Sequence, residues 1–293
     1  MGVKMGLRKF APRKPVGALF VAVVVAFMSA PTWAQEESED EGKEFPEEPF
    51  FTARSFPESE VEFEVGYDNF DSEDEIELGL GISWEFMDNF QFGVELPFVI
   101  RNADDDSTVS DLGDVEISAL WQISNLDDGF SFALLGEVAA PTGDEGKEIG
   151  GTGSWGIFGT GGFLVPLDSD DMNMGVQFQL GYEQQIDLTD EQREEALELG
   201  VSAVREKELV WGVALNTKLG ALVPTFEVVG HTVLDAIDDD EEGTIVEVGG
   251  GVWWEPPDDS LFGGLVFGLA AKGPVTGMKE SNYTVLFVVK GEY

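Results

Sequence analysis

The sequence predicts an all-β fold, a transmembrane antiparallel up-and-down β-barrel of about 12 strands. After an N-terminal leader, twelve segments of about ten residues alternate between apolar positions and polar or glycine positions. A period of two gives a strand two faces in different environments, and about ten residues is the length of a tilted membrane-spanning strand. The connections between the segments alternate between short and long. A barrel with short turns at one end and longer loops at the other accounts for these observations.

Residues 1–34 have the features of a secretory signal peptide. Its basic residues come first: Lys4, Arg8, Lys9, Arg13 and Lys14. An apolar run over 16–28 follows, and small residues at Thr32 and Ala34 provide a cleavage site, so we expect the mature chain to begin at Gln35. A transmembrane anchor is the weaker alternative, because the run is shorter than the roughly 20 residues of a helical span. Since no later segment is a candidate helical span, a membrane-embedded chain of this sequence would have to be a barrel.

Charge and composition exclude several classes of function. The full chain has a formal net charge of −42 at pH 7, and removal of the five basic residues of the leader would make it −47. Such a chain has no basic patch for nucleic acid or anionic lipid surfaces. It contains no cysteine, which excludes disulfides, thiol chemistry and cysteine-based metal sites.

Residues 35–58 are acidic and contain Pro46, Pro49 and Pro57. Like charges without an apolar period predict a disordered, solvated segment, and metal binding is the less favoured alternative. The barrel domain is therefore expected over residues 59–293.

Each predicted strand has one apolar face for lipid and one polar, acidic or glycine-rich face for the lumen. In the first strand, for example, Val61, Phe63 and Val65 alternate with glutamates. The predicted strands are 60–67, 75–86, 90–100, 114–123, 130–141, 155–165, 172–184, 209–218, 225–234, 244–255, 261–272 and 282–293. An even number of strands places both termini at the periplasmic side.

The longer connections are expected on the extracellular side, and the longest is 186–208. There, Thr189 with Gln192 fits a capping box, and Leu197, Val201 and Val204 fall at helical spacing. This connection is therefore predicted to contain a short helix.

The aromatic residues support this topology. Near the predicted periplasmic ends lie Trp84, Phe90, Trp121, Phe130, Trp254 and Tyr293, and near the extracellular ends lie Tyr67, Trp155, Tyr182, Trp211 and Tyr283. All of them fall on the predicted lipid face, which gives the two aromatic girdles of a membrane barrel. A soluble β-sandwich, the alternative fold, has no reason to sort its aromatic residues in this way.

The last strand resembles the closing strand of bacterial outer-membrane barrels. Its alternate positions from Tyr283 to Tyr293 are apolar, aromatic or glycine, and the chain ends on an aromatic residue. The resemblance implies that the barrel assembly machinery is a partner that reads this strand, and that outer-membrane lipids surround the barrel.

Four motifs carry a more specific resemblance. They are Leu112-Gly113-Asp114-Val115, Pro141-Thr142-Gly143-Asp144, Gly151-Thr152-Gly153-Ser154 and Phe226-Glu227-Val228-Val229-Gly230. In this order they are similar to the outer-membrane family catalogued under the meta-pathway of phenol degradation, over roughly residues 90–293. The resemblance implies a barrel transporter in the cell outer membrane. One departure is Trp155-Gly156, where the resemblance leads us to expect an acidic residue.

Period-two parity predicts an acidic lumen. Its candidate selectivity residues are Glu95, Glu116, Glu137, Glu227 and Glu247, with His231, Arg101, Lys218 and Lys272. Buried carboxylates have to be hydrated, paired or protonated. Two interpretations stay open: a charge network that fills a narrow barrel, or a water-filled path that favours cations.

Enzymatic function is not expected, and no catalytic residue, metal or cofactor is assigned. His231 is the sole histidine, and Thr232-Val233-Leu234 follows it, so the serine that a phospholipase barrel carries soon after its histidine is absent. The acidic loops 104–106 and 238–242 could ligate calcium through oxygen, but a solvated surface is the favoured interpretation. The leading hypothesis is a channel for small solutes, including aromatic or hydrophobic ones. An occluded structural or surface-interaction barrel is the alternative, and an outer-membrane enzyme is a distant third.

Overall fold

The computed structural model is all-β over the residues that it describes, which confirms the predicted fold class. Those residues are 49–53, 57–70, 73–87, 89–103, 108–124, 130–143, 153–166, 173–185, 205–236, 243–257, 260–276 and 281–292. Within them, no helix is long and apolar enough to cross a membrane. The predicted leader (1–34), the acidic loops at 104–106 and 238–242, and the predicted helix up to residue 204 lie outside the described residues.

Thirteen strands form one antiparallel sheet over the described residues. They are β1 (Glu60–Asn69), β2 (Glu73–Met87), β3 (Phe90–Ala103), β4 (Thr108–Leu112), β5 (Val115–Ser124), β6 (Phe130–Ala140), β7 (Ser154–Pro166), β8 (Asn173–Gln185), β9 (Arg205–Thr217), β10 (Leu222–Ala236), β11 (Gly243–Trp254), β12 (Val266–Pro274) and β13 (Tyr283–Glu292). Apart from β4, which pairs with β3 alone, consecutive strands pair around the sheet, β3 pairs with β5, and β13 pairs with β1, so the sheet closes on itself. The barrel belongs to one compact unit of residues 39–293.

The barrel wall has twelve positions because β4 and β5 share one of them. The N-terminal half of β3 pairs with β5, with Glu95 opposite Glu116. The C-terminal half of β3 pairs with β4, with Phe98 opposite Leu112. The register changes by one residue between the two, as it does at a β-bulge. The Gly113 N–H bonds to the Pro97 carbonyl (2.9 Å), which holds the two strands together at this break. The twelve predicted strands are thus confirmed, with β4 an addition in a predicted loop.

Two predicted strand boundaries differ from the structure by four residues or more. The segment predicted to begin a strand at Leu261 forms turns as far as Gly264, whose φ of 80° favours glycine, and β12 begins at Val266. Residues 205–208, assigned to the helical connection, extend β9 and pair with β8 and β10. In both cases the pairing of neighbouring strands decides where the strand starts.

The lumen and lipid faces follow the predicted parity. On the outer face Trp84, Trp121 and Tyr283 expose 43%, 50% and 44% of their surface, whereas the inward Ala133 and Trp253 are buried. Phe287 faces outward on β13 between buried Leu286 and Val288. Tyr293, the predicted terminal girdle residue, lies outside the described residues. Large apolar side chains exposed on the outer face of a closed barrel are typical of contact with lipid.

Candidate functional site: the barrel lumen

One side of the lumen is an acidic wall formed by β1, β2, β3, β5 and β6. Its residues are Glu62, Glu64, Glu77, Glu95, Glu116 and Glu137. Glu95 and Glu116 are direct partners across β3 and β5, and Glu137 pairs with Ser118, one inward position away from Glu116. Within the described residues, no basic side chain lies within 4.0 Å of Glu95, Glu116 or Glu137. The wall therefore concentrates negative charge on one side of the lumen.

Glycines on β2 make room for these carboxylates. Gly81 lies between Glu62 of β1 and Glu95 of β3 in the strand register. At Gly79, a Cβ atom would lie 2.6 Å from Oε1 of Glu95. The glutamate side chain can lie across β2 because this position has no side chain.

The basic candidates each lie beside a carboxylate. Arg101 pairs with Glu75 (2.8 Å), Lys272 with Glu247 (2.8 Å) and Lys218 with Glu255 (2.7 Å). Nδ1 of His231 lies 3.1 Å from Oε2 of Glu208. The sequence led us to expect His231 beside Glu227, four residues earlier on the same strand, and did not identify Glu208 or Glu255 as partners. Within the described residues, the candidate cations are therefore matched with acids outside the acidic wall.

A segment that precedes the barrel lies inside it. We call residues 49–53 the inserted segment. The main-chain N–H groups of Phe50 and Phe51 donate to the two carboxylate oxygens of Glu227, at 2.7 Å and 3.0 Å, and Ala53 N–H donates to Oε1 of Gln179 at 2.7 Å. Glu227 is fully buried. The predicted selectivity residue Glu227 thus anchors the inserted segment, which has no helix or strand but is held within the lumen.

Aromatic contacts attach the inserted segment to the wall formed by β10 to β13. The Phe50 ring stacks on Trp253 with centroids 4.2 Å apart and an interplanar angle of 3°. Nζ of Lys272 lies 5.0 Å from the centroid of the Phe51 ring. Both rings pack against a buried cluster that includes Val223 and Ala270. The inserted segment therefore packs against this side of the lumen.

A cavity of about 300 Å³ lies where the inserted segment and the acidic wall meet. Its lining combines five carboxylates with apolar side chains: Glu60, Glu62, Glu95, Glu116, Glu137, Phe50, Ala53, Leu120 and Leu135. Leu120 and Leu135 belong to a second buried cluster inside the barrel with Ala133, Phe158 and Val210. The arrangement can accept a small solute that has both an apolar part and a positive charge or a hydrogen-bond donor.

Asp114 ties together three of the four motifs noted in the sequence. Its Oδ1 accepts hydrogen bonds from the N–H groups of Thr142 and Gly143, and its Oδ2 accepts one from Gly153 N–H. Gly153 has a φ of 66°, a conformation that favours glycine. Thr142 Oγ1 in turn accepts from Val115 N–H. The motifs therefore form a hydrogen-bonded cluster around Asp114, which we call the Asp114 cluster. It connects the ends of β5, β6 and β7 that lie away from the chain termini.

Sequence reasoning missed the inserted segment. The available signal was the pair Phe50-Phe51, two adjacent large apolar residues within an acidic stretch. Large apolar residues are unfavourable in a solvated segment, so this pair indicates a buried contact. Among the described residues, no group of three or more histidine, aspartate or glutamate side chains has an arrangement suited to a metal ion.

Comparisons with known proteins agree with this fold. A family model described as "Putative MetA-pathway of phenol degradation" matches residues 55–277. The structure is similar to an outer membrane channel from Pseudomonas putida (TM-score 0.58, 9% identity), over 85% of this chain and 100% of that chain. It is also similar to LpxR from Salmonella typhimurium (TM-score 0.50, 10% identity, 80% of this chain and 100% of that chain). No curated protein matches the chain. At these identities the structural matches show the fold alone, a barrel of the outer-membrane type.

Proposed function

The chain belongs to the MetA-pathway of phenol degradation family of outer-membrane barrels, and from this premise we propose that it is a channel for small solutes with an acidic, cation-favouring lumen. The proposal includes small aromatic solutes as cargo, and it assigns no chemical step to the lumen residues. The matched fold of an outer membrane channel is consistent with transport.

The observation that carries the proposal is the charge of the acidic wall. Glu95, Glu116 and Glu137 line one cavity and have no basic side chain within 4.0 Å among the described residues. In a narrow lumen of low dielectric constant, charges interact more strongly than in bulk water, and acidic rings favour cations. A permeating cation or cationic group would therefore compensate carboxylates that have no basic partner within 4.0 Å among the described residues.

The apolar lining of the same cavity supports solutes with an aromatic or hydrophobic part. Leu120 lies on the same strand as Glu116, Leu135 lies on the same strand as Glu137, and both line the cavity together with Phe50. Apolar surface of this kind stabilises a bound hydrophobic group by roughly 25 cal/mol per Å² removed from water. The path therefore suits amphipathic molecules better than strongly hydrated anions.

One observation favours the alternative, an occluded barrel without transport. The inserted segment fills the β10–β13 side of the lumen and is held by hydrogen bonds and ring stacking. On this alternative the charges of the acidic wall would serve only to hydrate the interior.

A planar-bilayer recording separates the two functions. The mature protein is reconstituted between chambers with a tenfold KCl gradient, and the reversal potential is measured. The proposal expects small unitary currents whose reversal potential has the sign of cation preference. Anion preference would contradict the acidic lumen, and a membrane that contains folded protein but carries no current would favour the occluded barrel.

A further inference from the structure

We propose that the pocket around Trp253 is a binding site for a monocyclic aromatic solute that carries a hydrogen-bond donor, and that Phe50 occupies this site as an internal ligand. The inference rests on the proposed function as an aromatic-solute channel, and it names the site and the chemical class of the solute. We call the site the Trp253 pocket, formed by Trp253, Val223, Gly251, Gly268, Ala270 and Glu227.

The pocket accepts a flat ring. The Phe50 ring lies 4.2 Å from the Trp253 ring at an interplanar angle of 3°, and Trp253 is 1% exposed. Val223 and Ala270, both buried, belong to the cluster against which the ring packs. A parallel ring at this distance is stacked on the indole face, so a solute with an aromatic face can replace the phenylalanine ring.

Two glycines set the size of the pocket. A Cβ atom on Gly251 would lie 2.5 Å from Cε2 of Phe50, and one on Gly268 would lie 2.6 Å from Cε1. These distances are far shorter than carbon–carbon contact, so the ring fits because neither residue has a side chain. The two contacts are to Cε2 and Cε1, on either side of Cζ, so the two glycines limit the width of the ring that the site accepts.

Glu227 determines which polar group the solute must carry. Its carboxylate is fully buried and accepts the N–H of Phe50 at 2.7 Å and the N–H of Phe51 at 3.0 Å. A buried carboxylate that loses its donors is costly, because its desolvation is no longer compensated. A solute that displaces the inserted segment, and with it these two main-chain donors, must therefore bring a donor of its own beside the ring, as a phenolic hydroxyl or an aromatic amine does. An aryl ether lacks the donor and an aliphatic alcohol lacks the aromatic face.

Occupation by Phe50 lowers the apparent affinity for such a solute. When the competent state of a protein is populated only fractionally, the apparent dissociation constant increases by the inverse of that fraction. The described contacts of the inserted segment are main-chain hydrogen bonds to side chains and ring packing, not strand pairing with the barrel wall. Entry of the solute and release of the inserted segment are therefore coupled through one pocket.

Fluorine NMR on Trp253 tests the site directly. The protein is labelled with 5-fluorotryptophan in lipid nanodiscs, and the resonance of Trp253 is assigned by its loss in Trp253→Phe. Phenol, anisole and cyclohexanol are the probes, because they carry ring and donor, ring alone and donor alone. We expect Phe50→Ala to bind phenol about tenfold more tightly than the unsubstituted protein, since it removes the competing ring. The matched control Phe51→Leu, which keeps the segment and alters the neighbouring ring, should change the affinity less than twofold.

Two further variants keep the test informative. Glu227→Gln alone should reduce the preference for phenol over anisole, because the buried charge that requires a donor is removed, and Gly251→Ala should narrow the pocket and weaken both aromatic probes. Equal affinity of Phe50→Ala and the unsubstituted protein for phenol would overturn the proposal. So would a Trp253 shift with cyclohexanol as large as that with phenol.

Phenol flux into liposomes, measured separately, distinguishes the site from the proposed function. Flux without a saturable Trp253 response would overturn the site and leave the channel standing. A saturable response without flux would support the site and count against the channel.

Discussion

Glu95 and Glu116 are direct cross-strand partners on β3 and β5, and both carboxylates point into the lumen. Opposed like charges destabilise a sheet unless water or a counter-ion compensates them. Glu116 is exposed within the lumen, and both residues line the cavity. On the proposed function, this pair is the part of the acidic wall where a permeating cation would compensate the most charge.

The double variant Glu95→Gln/Glu116→Gln should reduce the cation preference by about fivefold, because two charges are removed from a weakly screened lumen. The reversal potential across a KCl gradient measures it. Glu95→Asp/Glu116→Asp keeps both charges and is the matched control, which should retain the preference. An unchanged reversal potential in the glutamine variant would show that ions do not pass along the acidic wall.

Phe287→Asp should impair membrane insertion. Phe287 lies on the outer face of β13, between Val65 of β1 and Leu269 of β12 in the register. A charge on the lipid face near the middle of the bilayer costs about 2–4 kcal/mol, and less for aspartate than for lysine or arginine. Heat-modifiable migration in gels reports the folded fraction, and Phe287→Leu is the control. Normal migration of the aspartate variant would mean that Phe287 does not face lipid.

The faces of the strands could be predicted because lipid and lumen impose strict alternation. Phe287 and Glu137, for example, are assigned to the correct faces by parity alone. Within those faces, the partners of charged side chains could not be predicted. Lys272 pairs with Glu247 and His231 with Glu208 because of strand register and stagger, which composition does not encode.

The inserted segment could not be predicted for a different physical reason. Phe50 and Glu227 are 177 residues apart, and the donor is a main-chain N–H, which every residue except proline possesses. The addition of β4 was missed because Thr108–Leu112 pairs with β3 along one edge, and a short edge strand has a weak sequence signal. The family motifs, in contrast, were visible in the sequence, but their common contact with Asp114 required the structure.

Asp114→Asn should weaken the Asp114 cluster and destabilise the barrel. The amide nitrogen cannot accept the hydrogen bond that Oδ2 accepts from Gly153 N–H (3.0 Å). Loss of a hydrogen bond to a charged acceptor lowers the free energy of unfolding by about 1.5–3 kcal/mol. Urea unfolding of the barrel in lipid bilayers measures the loss, and Asp111→Asn on β4 is the control. Equal stability of the two variants would show that the Asp114 cluster does not stabilise the barrel.

Glu227→Ala should release the inserted segment and increase the unitary conductance. The substitution removes the acceptor for the N–H groups of Phe50 and Phe51, while the ring stacking on Trp253 remains. Each lost hydrogen bond to a charged group is worth about 1.5–3 kcal/mol, so the released fraction should increase by tenfold or more. Thr225→Ala changes the adjacent inward position of β10 and is the matched control, with the conductance expected to stay constant. Single-channel recordings in the same lipid measure both variants. If Glu227→Ala conducted as the unsubstituted protein does, the inserted segment would not limit the flow of ions, and the narrowest part of the path would lie along the acidic wall instead.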